Sequence, residues 1–222
     1  MANEQAVIFD MDGVLVNSYQ THLQAWQATA QSHGLSLTDA DFARTFGRTS
    51  RDLISMLWPG RYNVQEALDF DLEKEAAYRR LLEKDFPEMD GASELIGSLQ
   101  VHGFRLAIGS SGPPENVDVV QRCIPNGRYF TATVNGTEVN RGKPDPQVFL
   151  LAAEKLGVPP ARCAVVEDAP VGVEAARRAG MTSIGLLGTA PRAALEKHAH
   201  LVVGSLRDLS PQLIETKIRG AK

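Results

Sequence analysis

Six short apolar runs, at residues 6–9, 106–108, 130–134, 164–166, 182–187 and 201–203, constrain this fold more than any other feature of the chain. Most are continuously apolar rather than alternating, and they are bounded by glycine or polar residues. That pattern marks strands buried on both faces, as in a parallel sheet covered by helices. Helix-period segments follow most of the runs. Gly103, Gly157 and Gly180 sit just past helical stretches, where a left-handed cap is favoured. Strand alternating with helix predicts an α/β fold with a Rossmann-like parallel sheet core.

The rhythm stops between Val16 and about Asp90. Leu23, Trp26 and Ala30, and then Leu68, Leu72 and Ala76, keep helical spacing, and no strand is evident. A structureless loop of that length is anomalous in a compact domain. Residues 17–88 therefore read as an all-helical subdomain inserted into an α/β core made of residues 1–16 and 89–222. Ser18, Thr38 and Ser50 are suitable N-caps for its helices, while Pro59-Gly60 and Phe86-Pro87 punctuate their ends.

Composition narrows the function classes. With 222 residues, the chain can bury about 70% of its unfolded surface and needs no staples. Cys123 and Cys163 form no C-x-x-C pair and read as reduced thiols. Lysine and arginine number 23 against 27 acidic residues, and there is no basic run, so neither nucleic acid nor an anionic membrane is an expected partner. The first residues, Met1 to Gln5, are polar, and no apolar stretch approaches the ~20 residues of a membrane helix. The expectation is a cytoplasmic protein, a monomer or weak homodimer.

In an open parallel sheet, ligands bind beyond the carboxyl ends of the strands. Four of the runs lead into reactive groups there: Asp10-Met11-Asp12-Gly13, Ser110-Ser111-Gly112, a polar loop reaching Arg141-Gly142-Lys143-Pro144, and Glu167-Asp168. Taken singly, each is ordinary: a solvated turn, a helix entry, acids at a helix N-terminus. Together, at one sheet edge, they assemble four carboxylates with a lysine and a hydroxyl. Carboxylates so close raise one another's pKa unless a cation compensates. All-oxygen ligands without histidine or cysteine suit Mg²⁺. Mg²⁺ and Lys143 facing a phosphate point to phosphoryl transfer, with Asp10 as a carboxylate nucleophile. No G-x-G-x-x-G is present, so a dinucleotide site is not expected.

In order and spacing these four segments resemble the signature motifs of the haloacid dehalogenase superfamily, and within it the branch of phosphatases and β-phosphoglucomutase. A helical insertion after the first motif is similar to that family's first type of cap. The resemblance implies that Asp10 attacks phosphorus and ligates Mg²⁺. It implies that Asp12 acts as general acid and base while its backbone carbonyl ligates the metal. Ser110 would bond a phosphoryl oxygen, Lys143 would neutralise charge, and Asp168 and Glu167 would complete the metal site. Asp12 argues against a dehalogenase, which does not keep that acid. Asn17-Ser18 departs from the Asp-Ser of many relatives, at the hinge into the cap.

Substrate contacts are expected from the cap, at His22, Arg48, Arg51 and Lys74, and from Ser111. Arg48 and Arg51 flank a helix start suited to an anionic group. Lys74, between Glu73 and Glu75, reads first as part of a solvated charged face, although it falls near a cap lysine of the mutase. The function expected is a Mg²⁺-dependent phosphatase of a small phosphomonoester such as a sugar phosphate. The alternative is a β-phosphoglucomutase, a reading lowered by Ser111-Gly112-Pro113-Pro114, which lacks the mutase's Lys-Asn pair.

Overall fold

Ala6, Val7, Ile8 and Phe9 are all fully buried, which a strand achieves only inside a sheet covered on both faces. The structure, a computed structural model, describes residues 5–45 and 49–220. In chain order its elements are β1 (Ala6–Phe9), α1 (Tyr19–Ser32), α2 (Asp39–Thr45), α3 (Ser50–Leu57), α4 (Val64–Lys84), α5 (Ala92–Val101), β2 (Arg105–Gly109) and α6 (Pro114–Cys123). There follow β3 (Phe130–Val134), α7 (Gln147–Leu156), β4 (Cys163–Glu167), α8 (Pro170–Arg178), β5 (Thr182–Leu186), α9 (Arg192–Leu195), β6 (Leu201–Val203) and α10 (Pro211–Gly220).

The six strands form one sheet in the order β3-β2-β1-β4-β5-β6, and every pairing is parallel. The order reverses direction at β1, which pairs with both β2 and β4, so the loops after β1, β2 and β4 meet at a switch point. On one face, Ala6, Ile8, Ala107, Val134 and Val165 pack against Phe149, Ala152 and Leu156 of α7 and Ala175 and Ala176 of α8. Burying a side chain the size of Phe149 contributes about 1.5–3 kcal/mol. Gly103, Gly157 and Gly180 take φ of +82°, +66° and +72°, the left-handed caps read from the sequence.

The chain divides into two compact units: residues up to Asn17 together with those from Phe86 onward, and Ser18–Asp85. Within the helical unit, Leu23, Trp26 and Ala30 of α1 share a core with Phe42, Leu53, Ile54 and Phe70. Trp26 and Phe70 stack with centroids 5.7 Å apart. One sequence expectation is corrected here, and one helical stripe is given its orientation. Thr49, not Ser50, caps α3, its Oγ1 accepting from the Asp52 N–H at 3.2 Å. In α4 the Leu68–Leu72 stripe faces outward, 53% and 67% exposed, and the buried side is Phe70, Lys74, Ala77 and Tyr78. Both stripes keep a helical period, so periodicity identifies the helix without saying which side packs. A capping box fixes the start of α4: Asn63 Oδ1 accepts from Glu66 N–H at 3.0 Å, and Glu66 Oε2 accepts from Asn63 N–H at 2.7 Å.

Candidate active site

Asp10 is the first residue past β1, tied to β4 by its N–H on the Val166 carbonyl at 2.9 Å. Because Phe9 lies opposite Val166 and Ile108, Asp10 comes level with Glu167 on one side and with Gly109, the neighbour of Ser110, on the other. Lys143 reaches in from the loop between β3 and α7. Its Nζ donates to Asp10 Oδ1 at 2.7 Å and to Glu167 Oε1 at 2.5 Å. Glu167 Oε2 accepts from the Ala169 N–H at 2.7 Å. Asp10, Glu167 and Asp168 are all buried, and each offers an oxygen within 4.8 Å of the others.

Two glycines make room for these carboxylates. A Cβ on Gly13, whose φ is +76°, would fall 2.1 Å from Asp168 Oδ2, and one on Gly172 would fall 1.7 Å from Glu167 Oε1. No side chain fits either place. Gly13 also sits in a tight turn, its N–H on the Val16 carbonyl at 2.8 Å, which returns the chain after the strand.

The electrostatics follow from burial. Desolvation, with Glu167 and Asp168 adding to it, pushes the Asp10 carboxyl well above the usual aspartate range against the pull of Lys143. Burial and then the charge of Glu167 push Asp168 up to about 7. Burial opposes the Lys143 ammonium, but Asp10 and Glu167 outweigh it and hold its pKa above the ordinary lysine value. Three carboxylates face one ammonium, so two negative charges are left over when all are ionised. A divalent cation on Asp10, Glu167 and Asp168 would neutralise them, and a donor set made only of oxygen fits a hard ion such as Mg²⁺.

Asp12 is half-buried, bridges to Val16, and lies near enough for its charge to raise Asp168. Ser110 is buried at the end of β2, its N–H on the Val134 carbonyl at 2.9 Å and its Oγ accepting from the Gly112 N–H at 3.0 Å. Ser111 is exposed. The loop is held from β3's side by the Gly136 N–H on the Gly112 carbonyl at 2.8 Å. A side chain that the sequence reading passed over joins the site: Thr189 Oγ1 donates to Asp168 Oδ2 at 2.7 Å. It follows the fifth apolar run, and inspecting the loop after that run as well would have found it.

The other candidates belong to the helical unit. The His22 ring stacks on Tyr78, centroids 4.0 Å apart and planes 4° from parallel. Lys74 is 4% exposed, which corrects the expectation of a solvated face. Its ammonium pairs with Glu75 at 2.6 Å and stands 5.5 Å from the Trp26 ring centre and 5.6 Å from that of Tyr78. His22 and Lys74 thus meet around Tyr78. Arg51 is exposed on the first turn of α3, and Arg48 lies outside the described residues.

Comparison with known proteins identifies the family. The family profile described as haloacid dehalogenase-like hydrolase matches residues 4–180. The phosphorylated carbohydrates phosphatase of Thermotoga maritima is 32% identical over 181 residues, 81% of this chain and 83% of that protein. The β-phosphoglucomutase of Bacillus subtilis is 33% identical over 218 residues, 95% of this chain and 93% of that one. Among solved structures, a family IA, variant 3 hydrolase from Entamoeba histolytica matches with a TM-score of 0.85 at 28% identity, covering 97% of this chain and 99% of that one. Among the described residues, no helix is long and apolar enough to cross a membrane.

Proposed function

The chain belongs to the haloacid dehalogenase-like hydrolase family, and from that premise we propose that it is a Mg²⁺-dependent phosphatase of small phosphomonoesters, sugar phosphates among them, working through an aspartyl phosphate. The observation that carries this reading is Lys143 bridging Asp10 and Glu167, with Asp168 completing a buried carboxylate triad.

In the first step an Asp10 carboxylate oxygen forms a bond to phosphorus, the bond from phosphorus to the ester oxygen breaks, and Asp12 gives its proton to the departing oxygen. In the second, water attacks phosphorus while Asp12 takes its proton, and the Asp10 carboxylate leaves with its electron pair, releasing inorganic phosphate. Ser110 holds a phosphoryl oxygen, and Lys143 favours the ionised form of Asp10 against its burial and offsets phosphoryl charge. Asp10, the Asp12 carbonyl, Glu167 and Asp168 would hold Mg²⁺, which when bound neutralises phosphoryl charge. His22, Arg48, Arg51, Lys74 and Ser111 are assigned to the rest of the substrate, where cationic side chains suit a second anionic or hydroxyl-rich group.

A second reading, a β-phosphoglucomutase moving phosphate between C1 and C6 of glucose, is favoured by the buried ammonium of Lys74 against Trp26 and Tyr78. ³¹P NMR separates the two in one tube containing Mg²⁺, β-glucose 1-phosphate and a trace of glucose 1,6-bisphosphate, followed by a panel of phosphomonoesters. Inorganic phosphate that accumulates only with Mg²⁺ is the expected result. Glucose 6-phosphate without inorganic phosphate overturns the phosphatase in favour of the mutase, and the absence of both glucose 6-phosphate and inorganic phosphate, with no phosphate released from any other ester, overturns both.

A further inference from the structure

Asp168 is held at two points. The first is Gly13, whose Cα approaches so closely that a Cβ would stand 2.1 Å from Asp168 Oδ2. The second is Thr189, in the loop after β5, whose Oγ1 lies 2.7 Å from that same oxygen and 3.1 Å from the Asp168 carbonyl. One hydroxyl proton therefore lies between the side chain and the backbone of a single residue, with the shorter contact on the carboxylate. The loop that presents it is anchored, because the Leu187 N–H bonds the Val203 carbonyl at 3.0 Å and extends the β5–β6 ladder.

A carboxylate that reaches a metal must give up rotation about its last side-chain bond, and a partner that fixes this rotation beforehand lowers the entropy lost on binding. An ionised carboxylate has about four lone-pair sites, so donating to one leaves the others for a cation. We propose that Thr189 is a positioning residue whose hydroxyl orients the Asp168 carboxylate for Mg²⁺, acting through Asp168 without touching substrate. This inference rests on the reading of the carboxylate triad as a Mg²⁺ site.

Calorimetric titration of Mg²⁺ into the purified full chain, with no substrate present, tests it. Thr189→Val keeps the shape and removes the donor, and its Mg²⁺ affinity is expected to fall about 10–100-fold. Thr189→Ser keeps the donor and is expected to restore binding to near the parent value. Thermal unfolding in chelator is expected to be alike for all three, which separates positioning from folding. Thr189→Ala carries the same expectation should Thr189→Val fail to fold. Equal affinity in Thr189→Val and the parent overturns the positioning role, as does a serine variant as weak as the valine one. Absence of Mg²⁺ binding by the parent chain overturns the metal reading beneath it.

Discussion

The ammonium of Lys143 bonds the Asp10 carboxylate at 2.7 Å across 133 positions of sequence, and the same nitrogen reaches Glu167. This cation compensates the residue assigned as nucleophile. Lys143→Met is expected to lower kcat about 10²–10³-fold, the usual effect of removing one preorganised donor. Asp10→Asn is expected to abolish turnover while leaving the thermal midpoint unchanged or raised, since it removes one of three crowded buried carboxylates. Steady-state phosphate release and thermal unfolding check both, and near-normal turnover in Asp10→Asn removes the nucleophile assignment.

Gly172 stands where any side chain would collide with the Glu167 carboxylate. Gly172→Ala is expected to destabilise the chain by about 1–3 kcal/mol through overpacking. It is also expected to weaken Mg²⁺ binding, because Glu167 must swing away from Lys143. Urea unfolding and calorimetric titration with Mg²⁺ report the two effects separately.

Asp168 titrates in the folded chain near 7, raised chiefly by burial from the ordinary 3.8 of an aspartate. The folded state therefore binds a proton that the unfolded state has already released in that window. Its contribution to the stability of the metal-free chain is full below the lower value and is lost as pH rises through the higher one. Mg²⁺ must displace this proton, so affinity for the ion is expected to rise with pH over the same range. Thermal midpoints in chelator between pH 5 and 8 should fall for the parent and flatten for Asp168→Asn.

His200 carries the opposite sign. Its Nδ1 accepts from the Ser183 N–H at 3.0 Å, which requires that nitrogen to be unprotonated, while Ser183 Oγ donates to the His198 carbonyl at 2.9 Å. Burial, with Arg177 and Lys217 adding, lowers its pKa below the ordinary 6.5. The unfolded chain takes up a proton first as pH falls, so this bond's stability is present above 6.5 and lost below it. The protection factor of the Ser183 amide, its exchange measured against the intrinsic rate at each pH, should fall from pH 7.5 to 5.5 relative to those of neighbouring β5 amides.

Phe70 is fully buried and touches Trp26, His33, Trp58 and Tyr62. Phe70→Ala is expected to destabilise the helical unit by about 3–5 kcal/mol. Exchange protection should drop in α1 and α4 while that of β1 and β4 holds.

The sequence by itself determined the α/β class and where the strands lie. β1, β3 and β6 have the bounds of their apolar runs, while β2 and β4 extend past theirs, to Arg105 and Gly109 and to Cys163 and Glu167. Ladder hydrogen bonds come from the backbone, so a strand continues whatever side chain follows, through Arg105 and Glu167 as well as Gly109 and Cys163. The motif residues Asp10, Ser110, Lys143, Glu167 and Asp168 were likewise legible, because a buried strand running into acids, a hydroxyl or a lysine is a linear pattern.

Tertiary structure alone decided the rest. The strand order, with β1 between β2 and β4, brings Asp10 level with Glu167, and no periodicity records which strands pair. Thr189 became Asp168's partner because β5 lies beside β4. Lys74, flanked by glutamates, reads as solvated, yet the rotation of α4 turns it inward with Phe70 and Tyr78 while Leu68 and Leu72 face out. Periodicity reports that an element has faces. Which face is buried depends on the partners that pack against it, and those come from distant parts of the chain.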